Sequence, residues 1–163
     1  MHEGHFYYLS DQYFIDFPDK FLMRNKEMID GKPHNRPCFY AFKDSNTALY
    51  WMIPFSSQVD KFRDIYNKKV KKYKYCNTIK FGYVLGKEKA FLIQNMCPVV
   101  DKYILNRYMS NNSQTPVQID NVFAKRLVSD AKRVLFLQRK GMKLIFPDVL
   151  KIEAELLNDK ENI

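Results

Sequence analysis

Apolar residues follow two rhythms along this chain, every second position in some stretches and every third or fourth in others. Residues 49–55 carry the first: Leu49, Trp51, Ile53 and Phe55 share one face and Tyr50 and Met52 the other, so both faces are apolar, as in a central strand. The run 38–42 precedes it across KDSNTA, a segment of turn formers, and the pair predicts an antiparallel hairpin. After Ser56 and Ser57 the rhythm changes. Val59, Phe62, Tyr66, Val70 and Tyr73 predict an amphipathic helix of about four turns. Residues 78–85 alternate again, and beyond a GKEK turn residues 90–93 are continuously apolar, which predicts a second hairpin closed by Gly86.

The flanks follow the same logic. Residues 6–9 predict a short aromatic strand leading through Ser10 and Asp11, as possible caps, into a helical turn that carries Tyr13. Residues 18–37 hold three prolines, Gly31 and mixed charges, and predict mostly irregular chain. Residues 95–100 should carry the chain across the sheet, and 101–110 fit strand or short helix equally. Asp120 is placed to cap a long helix reaching Lys140, with Phe123, Leu127, Ala131, Val134 and Leu135 inward and Gly141 as its stop. A last helix starts near Pro147 and turns Val149, Leu150, Ile152, Leu156 and Leu157 inward, and DKENI at 159–163 is expected to fray. The sum is one α+β domain over residues 1–163, a mainly antiparallel sheet of about five or six strands with helices on its faces.

Charge changes the picture from fold to partner. The net charge is +9 and the pI about 9.4, which suits a polyanion such as nucleic acid or an anionic membrane face. No apolar run approaches the roughly 18 residues of a membrane span, and MHEGHFYYLSDQ lacks the pattern of a signal peptide, so a cytoplasmic protein with no membrane role is expected. The apolar faces of the basic helices are needed by the core, which weighs against a peripheral membrane protein. Cys38, Cys76 and Cys97 lack metal or redox spacing and read as reduced core residues. No phosphate-binding glycine loop, dinucleotide fingerprint or HExxH is present, and no metal or cofactor is expected.

The remaining candidates are cationic and hydroxylic. RNA carries its own nucleophile, the 2′-hydroxyl, so a protein cleaves it by aligning that oxygen and stabilising charge on the phosphorane. Ser56 and Ser57 sit where the first N–H groups of a helix lack partners and can receive a phosphate oxygen, although Ser57 and Asp60 also fit an ordinary capping box. Lys61 lies one turn on. Arg36 offers a forked guanidinium, and His34 beside it is the one internal histidine, a side-chain type suited to proton transfer. Tyr13 fits either a core aromatic or a site hydroxyl. Lys68, Lys69, Lys71, Lys72 and Lys74 interleave with tyrosines, and Lys125, Arg126, Lys132 and Arg133 form a second basic surface, both suited to RNA backbone. A non-catalytic RNA- or DNA-binding module would explain the charge and aromatics equally well.

Taken in order, the aromatic strand leading through Ser10 to Tyr13, the RPCFYAF strand, the YWMIPFSSQVDKF strand-to-helix join, the LG-containing hairpin and the late basic helix resemble the toxins of type III toxin-antitoxin systems, the ToxN/AbiQ family, and among them the CptN branch. The resemblance covers nearly the whole chain. It implies a compact barrel-like sheet similar to MazF and Kid toxins and metal-independent RNA cleavage to a 2′,3′-cyclic phosphate. It also implies inhibition by a repeated pseudoknot RNA antitoxin, in a cyclic protein–RNA assembly, with cellular or phage RNA as substrate. By resemblance the family's hydroxyl pair falls on Ser56 and Ser57, its early tyrosine on Tyr13 and its basic residue near Arg36. Where some relatives carry lysine, two positions beyond the second hydroxyl, this chain has Val59, and Lys61 is the nearest replacement in sequence.

Overall fold

The computed structural model describes residues 1–161; Asn162 and Ile163, part of the tail expected to fray, lie outside the described residues. The chain runs β1 (Phe6–Leu9), α1 (Asp11–Asp16), β2 (Lys26–Ile29), β3 (Lys32–Asn35), β4 (Pro37–Lys43), β5 (Tyr50–Ser56), α2 (Val59–Tyr73), β6 (Ile79–Val84), β7 (Lys87–Leu92), β8 (Cys97–Val99), β9 (Ile104–Arg107), α3 (Asn121–Arg139) and α4 (Val149–Glu161), with 3-10 turns before β8 and β9. Seven strands form one antiparallel sheet in the order β6-β7-β5-β4-β1-β9, with β8 also on β5. Its outer strands, β6 and β9, do not pair with each other, so the barrel-like sheet expected above is not closed.

β5 is the central strand, as its two apolar faces predict. Trp51, Ile53 and Phe55 pack with Phe39, Phe91 and the α3 stripe of Leu127, Ala131, Val134 and Leu135, whereas Met52 faces Tyr7, Tyr13, Tyr40 and the α4 residues Ile152 and Leu156. Leu49 lies just before β5 begins at Tyr50, outside the alternation of the strand, and joins the second group. One edge of β5 pairs with β4 along its length; the other is shared, Tyr50–Met52 by β8 and Phe55–Ser56 by β7. Pro54, which has no N–H to give, falls in the gap between those two partners.

The helices lie where the periodicities put them. α2 covers β6 and β7 through Phe62, Ile65, Tyr66 and Val70 over Ile79, Ala90 and Leu92. Tyr73, expected inward, is instead 56% exposed. Asp120 caps α3, accepting from the Phe123 N–H at 2.9 Å, and Gly141 ends it at φ 101°. α3 crosses close over β6: a Cβ on Gly82 would fall inside the Phe123 ring, which packs on Phe91 with centroids 5.2 Å apart. Arg139, near the end of α3, donates to Asp44 at 2.7 Å and also pairs with Glu153 of α4, joining three parts of the chain around two buried carboxylates. The three cysteines are free and buried.

Residues 18–37 differ in part from expectation. Residues 18–25 are irregular as expected, but the rest hold a second small sheet, the β2-β3 hairpin, turned by Asp30 and Gly31 at φ 50° and 73°. Positive φ at both central residues is the two-residue turn that suits strand twist, and Asp-Gly is its usual sequence. The strands escaped notice because most of their residues are exposed and carry no apolar alternation.

Candidate active site

The join of β5 and α2 does not behave as a capped helix start. Ser56 is 5% exposed and its Oγ accepts from the Gln58 N–H at 3.1 Å, folding the chain into a tight turn. Gln58 precedes α2 and makes no side-chain cap bond. Ser57 Oγ, expected to close a capping box with Asp60, accepts instead from Lys89 Nζ at 2.6 Å. Among the described residues the N–H groups of Asp60 and Lys61 donate to no protein acceptor. Two free donors, an exposed hydroxyl and an ammonium thus meet at the positive end of a 15-residue helix.

Register brings Lys89 there. Phe55 pairs with Phe91 and Ser56 with Ala90, so the next position on each strand sets Ser57 beside Lys89. The GKEK segment is not a turn of four residues: Leu85 and Gly86 alone make the turn, both at positive φ, and Lys87 to Lys89 belong to β7. Burial pulls the Lys89 ammonium below the usual lysine range; Glu27 opposes the shift and Lys87 adds to it.

The β2-β3 hairpin supplies the other wall. Arg36 follows it, its N–H anchored on the Asn25 carbonyl at 2.6 Å and its Nε on the Arg24 carbonyl at 3.1 Å. The guanidinium reaches the Phe55 carbonyl at 3.3 Å and Glu27 Oε2 at 3.5 Å, with 14% of the side chain exposed. Arg36 is therefore fixed two residues from Ser57, through contacts that leave part of its fork free. His34 is exposed and lies opposite Glu27 across the hairpin. Tyr8 and Tyr108 meet edge to face at 5.8 Å, and together with Glu27, His34, Asn35 and Asn106 they line a groove of about 710 Å³. Both phenols are pushed above the usual range, Tyr8 by burial and then by Tyr108, Tyr108 by burial and then by the Glu27 charge. They stay protonated at neutral pH and can donate.

Two candidates lie elsewhere. Tyr13 is fully buried, its hydroxyl donating to the Pro98 carbonyl at 2.9 Å, and burial followed by neighbouring Cys97 drives its pKa well up. That hydroxyl cannot reach a phosphate at Ser57. Lys61 is on the first turn of α2, but its ammonium rests 5.4 Å from the Phe62 ring in solvent. Of the basic residues expected to hold RNA, Lys68, Lys71, Lys72, Lys74, Lys125, Arg126, Lys132 and Arg133 are exposed. Lys69 is not a free cation, since it donates to Thr78 Oγ1 at 3.0 Å and Gln94 Oε1 at 2.9 Å. Sequence reasoning missed Lys89, Glu27, Tyr8 and Tyr108 as site residues; the signal for Lys89 was the two-residue turn, which fixes its register.

The class the structure shows is that of its fold, an α+β domain with an open antiparallel sheet, and the hydroxyl–ammonium pair lies at its free helix start. No protein-family model matches the sequence, and no curated protein matches it either. Among solved structures, one lactococcal protein shares the fold over 98% of this chain and 99% of its own, with a TM-score of 0.70 and 13% identity. It is AbiQ, an anti-phage endoribonuclease belonging to the type III toxin-antitoxin system.

Proposed function

We propose that this chain is the toxin of a type III toxin-antitoxin system, a metal-independent endoribonuclease whose active site is the Ser57–Lys89 pair at the start of α2. The fold shared with AbiQ supports the class, and the 2.6 Å contact between Lys89 Nζ and Ser57 Oγ beside two free N–H groups carries the assignment of the site.

In this reading the scissile phosphodiester sits on the Asp60 and Lys61 N–H groups, the Ser57 hydroxyl and the Lys89 ammonium, with Ser56 holding the turn and Arg36 closing the other side. The substrate 2′-oxygen attacks the adjacent phosphorus while the 5′-oxygen leaves, giving a 2′,3′-cyclic phosphate and a 5′-hydroxyl. The 2′-hydroxyl loses a proton and the leaving oxygen gains one. His34, at the mouth of the groove, is the group suited to accept the first, and Tyr8 or Tyr108, held protonated, to supply the second. Charge builds on the non-bridging oxygens, where Lys89, Ser57 and the helix start are already aimed. Lys61 contributes its backbone, and Tyr13 contributes only packing.

The wider reading keeps the antitoxin as a repeated pseudoknot RNA bound by the exposed lysines of α2 and the basic face of α3, joining toxins into a closed protein–RNA ring. It keeps the protein cytoplasmic, a single domain acting on cellular or phage RNA. No helix among the described residues is long and apolar enough to cross a membrane. The test is purified protein with RNA in EDTA. Cleavage that leaves cyclic phosphate ends and disappears in Ser57→Ala, with the thermal unfolding curve unchanged, is expected. Intact RNA at stoichiometric protein would overturn the proposal and leave the chain a binding module.

A further inference from the structure

The far end of α2 carries a second feature, about 22 Å from Ser57 by the rise of a 15-residue helix. Lys74 ends the helix in a left-handed conformation at φ 70°, its N–H on the Val70 carbonyl at 2.8 Å, so that the chain reverses there. Tyr73 and Tyr75 flank that reversal, 56% and 62% exposed, although the helix periodicity would have buried the first. Beneath them a cleft of about 440 Å³ runs between α2 and the segment after α3, walled by Val134, Leu137, Leu144 and Phe146. Phe146 is 48% exposed. Lys69, pinned on Thr78 and Gln94, holds its ammonium 5.6 Å from the Phe146 ring. Among the described residues the Asn77 side-chain amide in the wall has no hydrogen-bond partner. Exposed Lys143 lines the opening, and exposed Lys71, Lys72, Lys74 and Lys140 neighbour its lining residues along the chain.

An apolar slot with tyrosines at its lip, one fixed cation, an unpaired amide and a lysine rim has the composition of a single-stranded nucleic-acid site. Such sites stack bases on aromatics and hold backbone by charge. A folded protein partner would want the rim less uniformly cationic, and a membrane would want the apolar groups on a convex face rather than within a cleft. We propose that this cleft takes an unpaired RNA base, stacked between Tyr75 and Phe146 with its edge on Asn77, and so anchors RNA at a point remote from the Ser57–Lys89 pair. The proposal rests on the RNA-cleaving reading above for its partner, not for its geometry.

The test uses the full chain and a fluorescein-labelled, fully 2′-O-methylated 16-mer of mixed sequence, which lacks the attacking hydroxyl. Tyr75→Ala is expected to weaken binding by about tenfold or more, as loss of one stacked base does, and Tyr75→Phe to retain it. Both side chains are at the surface, so matching unfolding curves are expected. With cleavable RNA, Tyr75→Ala should raise KM for the 16-mer about as much while leaving a trinucleotide, too short to span both sites, unaffected. Equal affinity of wild type and Tyr75→Ala for the 16-mer overturns the cleft, whether or not Ser57→Ala abolishes cleavage. Tenfold weakening with no cleavage by any variant supports the cleft and overturns the nuclease. Binding to phosphatidylserine vesicles that Tyr75→Ala lowers, with RNA binding unmoved, reassigns the surface to lipid and overturns the proposal.

Discussion

Replacing Lys89 by methionine separates the site described here from the one nearest in sequence. Lys89 Nζ is 2.6 Å from Ser57 Oγ and is partly withdrawn from water, whereas Lys61 projects into solvent from the first turn of α2. Methionine keeps the length and apolar stem, so the strand and its packing should survive. What goes is one fixed positive donor at the place where phosphorane charge develops. Loss of one such preorganised donor costs about 10²- to 10³-fold in kcat, or roughly 3–4 kcal/mol of transition-state stabilisation. Single-turnover cleavage of a defined RNA, with circular dichroism melts as the fold control, reads it directly. The pH profile adds a second arm. Lys89 acts as an ammonium and its pKa is depressed, so activity falls as pH rises through that pKa, earlier than an ordinary lysine would allow. Lys89→Arg should move that alkaline limb upward. Wild-type kcat in Lys89→Met, or a tenfold larger loss in Lys61→Met, would refute the assignment.

Three further outcomes test the surrounding structure. Tyr13→Phe should lower stability by about 1–3 kcal/mol, because the buried Pro98 carbonyl loses its donor, and should leave kcat unchanged; urea melts and the cleavage assay together check this. Arg139→Met leaves Asp44 and Glu153 without their cation and should cost about 2–4 kcal/mol, the lower part of the range for a broken buried pair because a third of the Arg139 side chain is exposed. Burial would raise the Asp44 pKa, but the Arg139 and backbone hydrogen bonds outweigh it and the net shift is downward. Its contribution is therefore present above the unfolded carboxylate pKa and lost as pH falls through the depressed value, so urea midpoints should fall on acidification in wild type and less in Asp44→Asn. Gly82→Ala drives a methyl into the Phe123 ring, which Phe91 prevents from swinging aside, and should cost about 1–3 kcal/mol by thermal melt.

Where apolar rhythm was strong, the chain could be read in advance. The β4-β5 and β6-β7 hairpins, α2, and the Asp120-capped α3 lie where alternation and three-and-four spacing put them, since those elements bury one or two continuous faces. The β2-β3 hairpin could not be read that way, because polar, exposed strands leave only the Asp30–Gly31 turn as a signal. The same blindness hid most of the site. Ser57 and Arg36 were legible as residue types, but Lys89 looked like part of a turn until Leu85–Gly86 was seen to complete it. Tyr8 and Tyr108 come together only through the pairing of β1 with β4 and β9, which no local pattern encodes. Tyr13 shows the opposite failure: its place in a family pattern says nothing of the carbonyl that occupies its hydroxyl.

Glu27 tempers the electrical character of the site. Its carboxylate pairs with Arg36 at 3.5 Å and bears on the Lys89 ammonium, where it opposes the charge of Lys87, so it offsets part of the positive field into which a phosphodiester would enter. Without Glu27 that positive field would hold substrate and product, both anions, more tightly. With it, the further charge of the phosphorane is met by the Lys89 ammonium together with the Ser57 hydroxyl and the helix-start N–H groups. A carboxylate in a site that handles anions thus works as a counterweight, favouring release over retention, and its removal would make the protein a tighter binder of RNA.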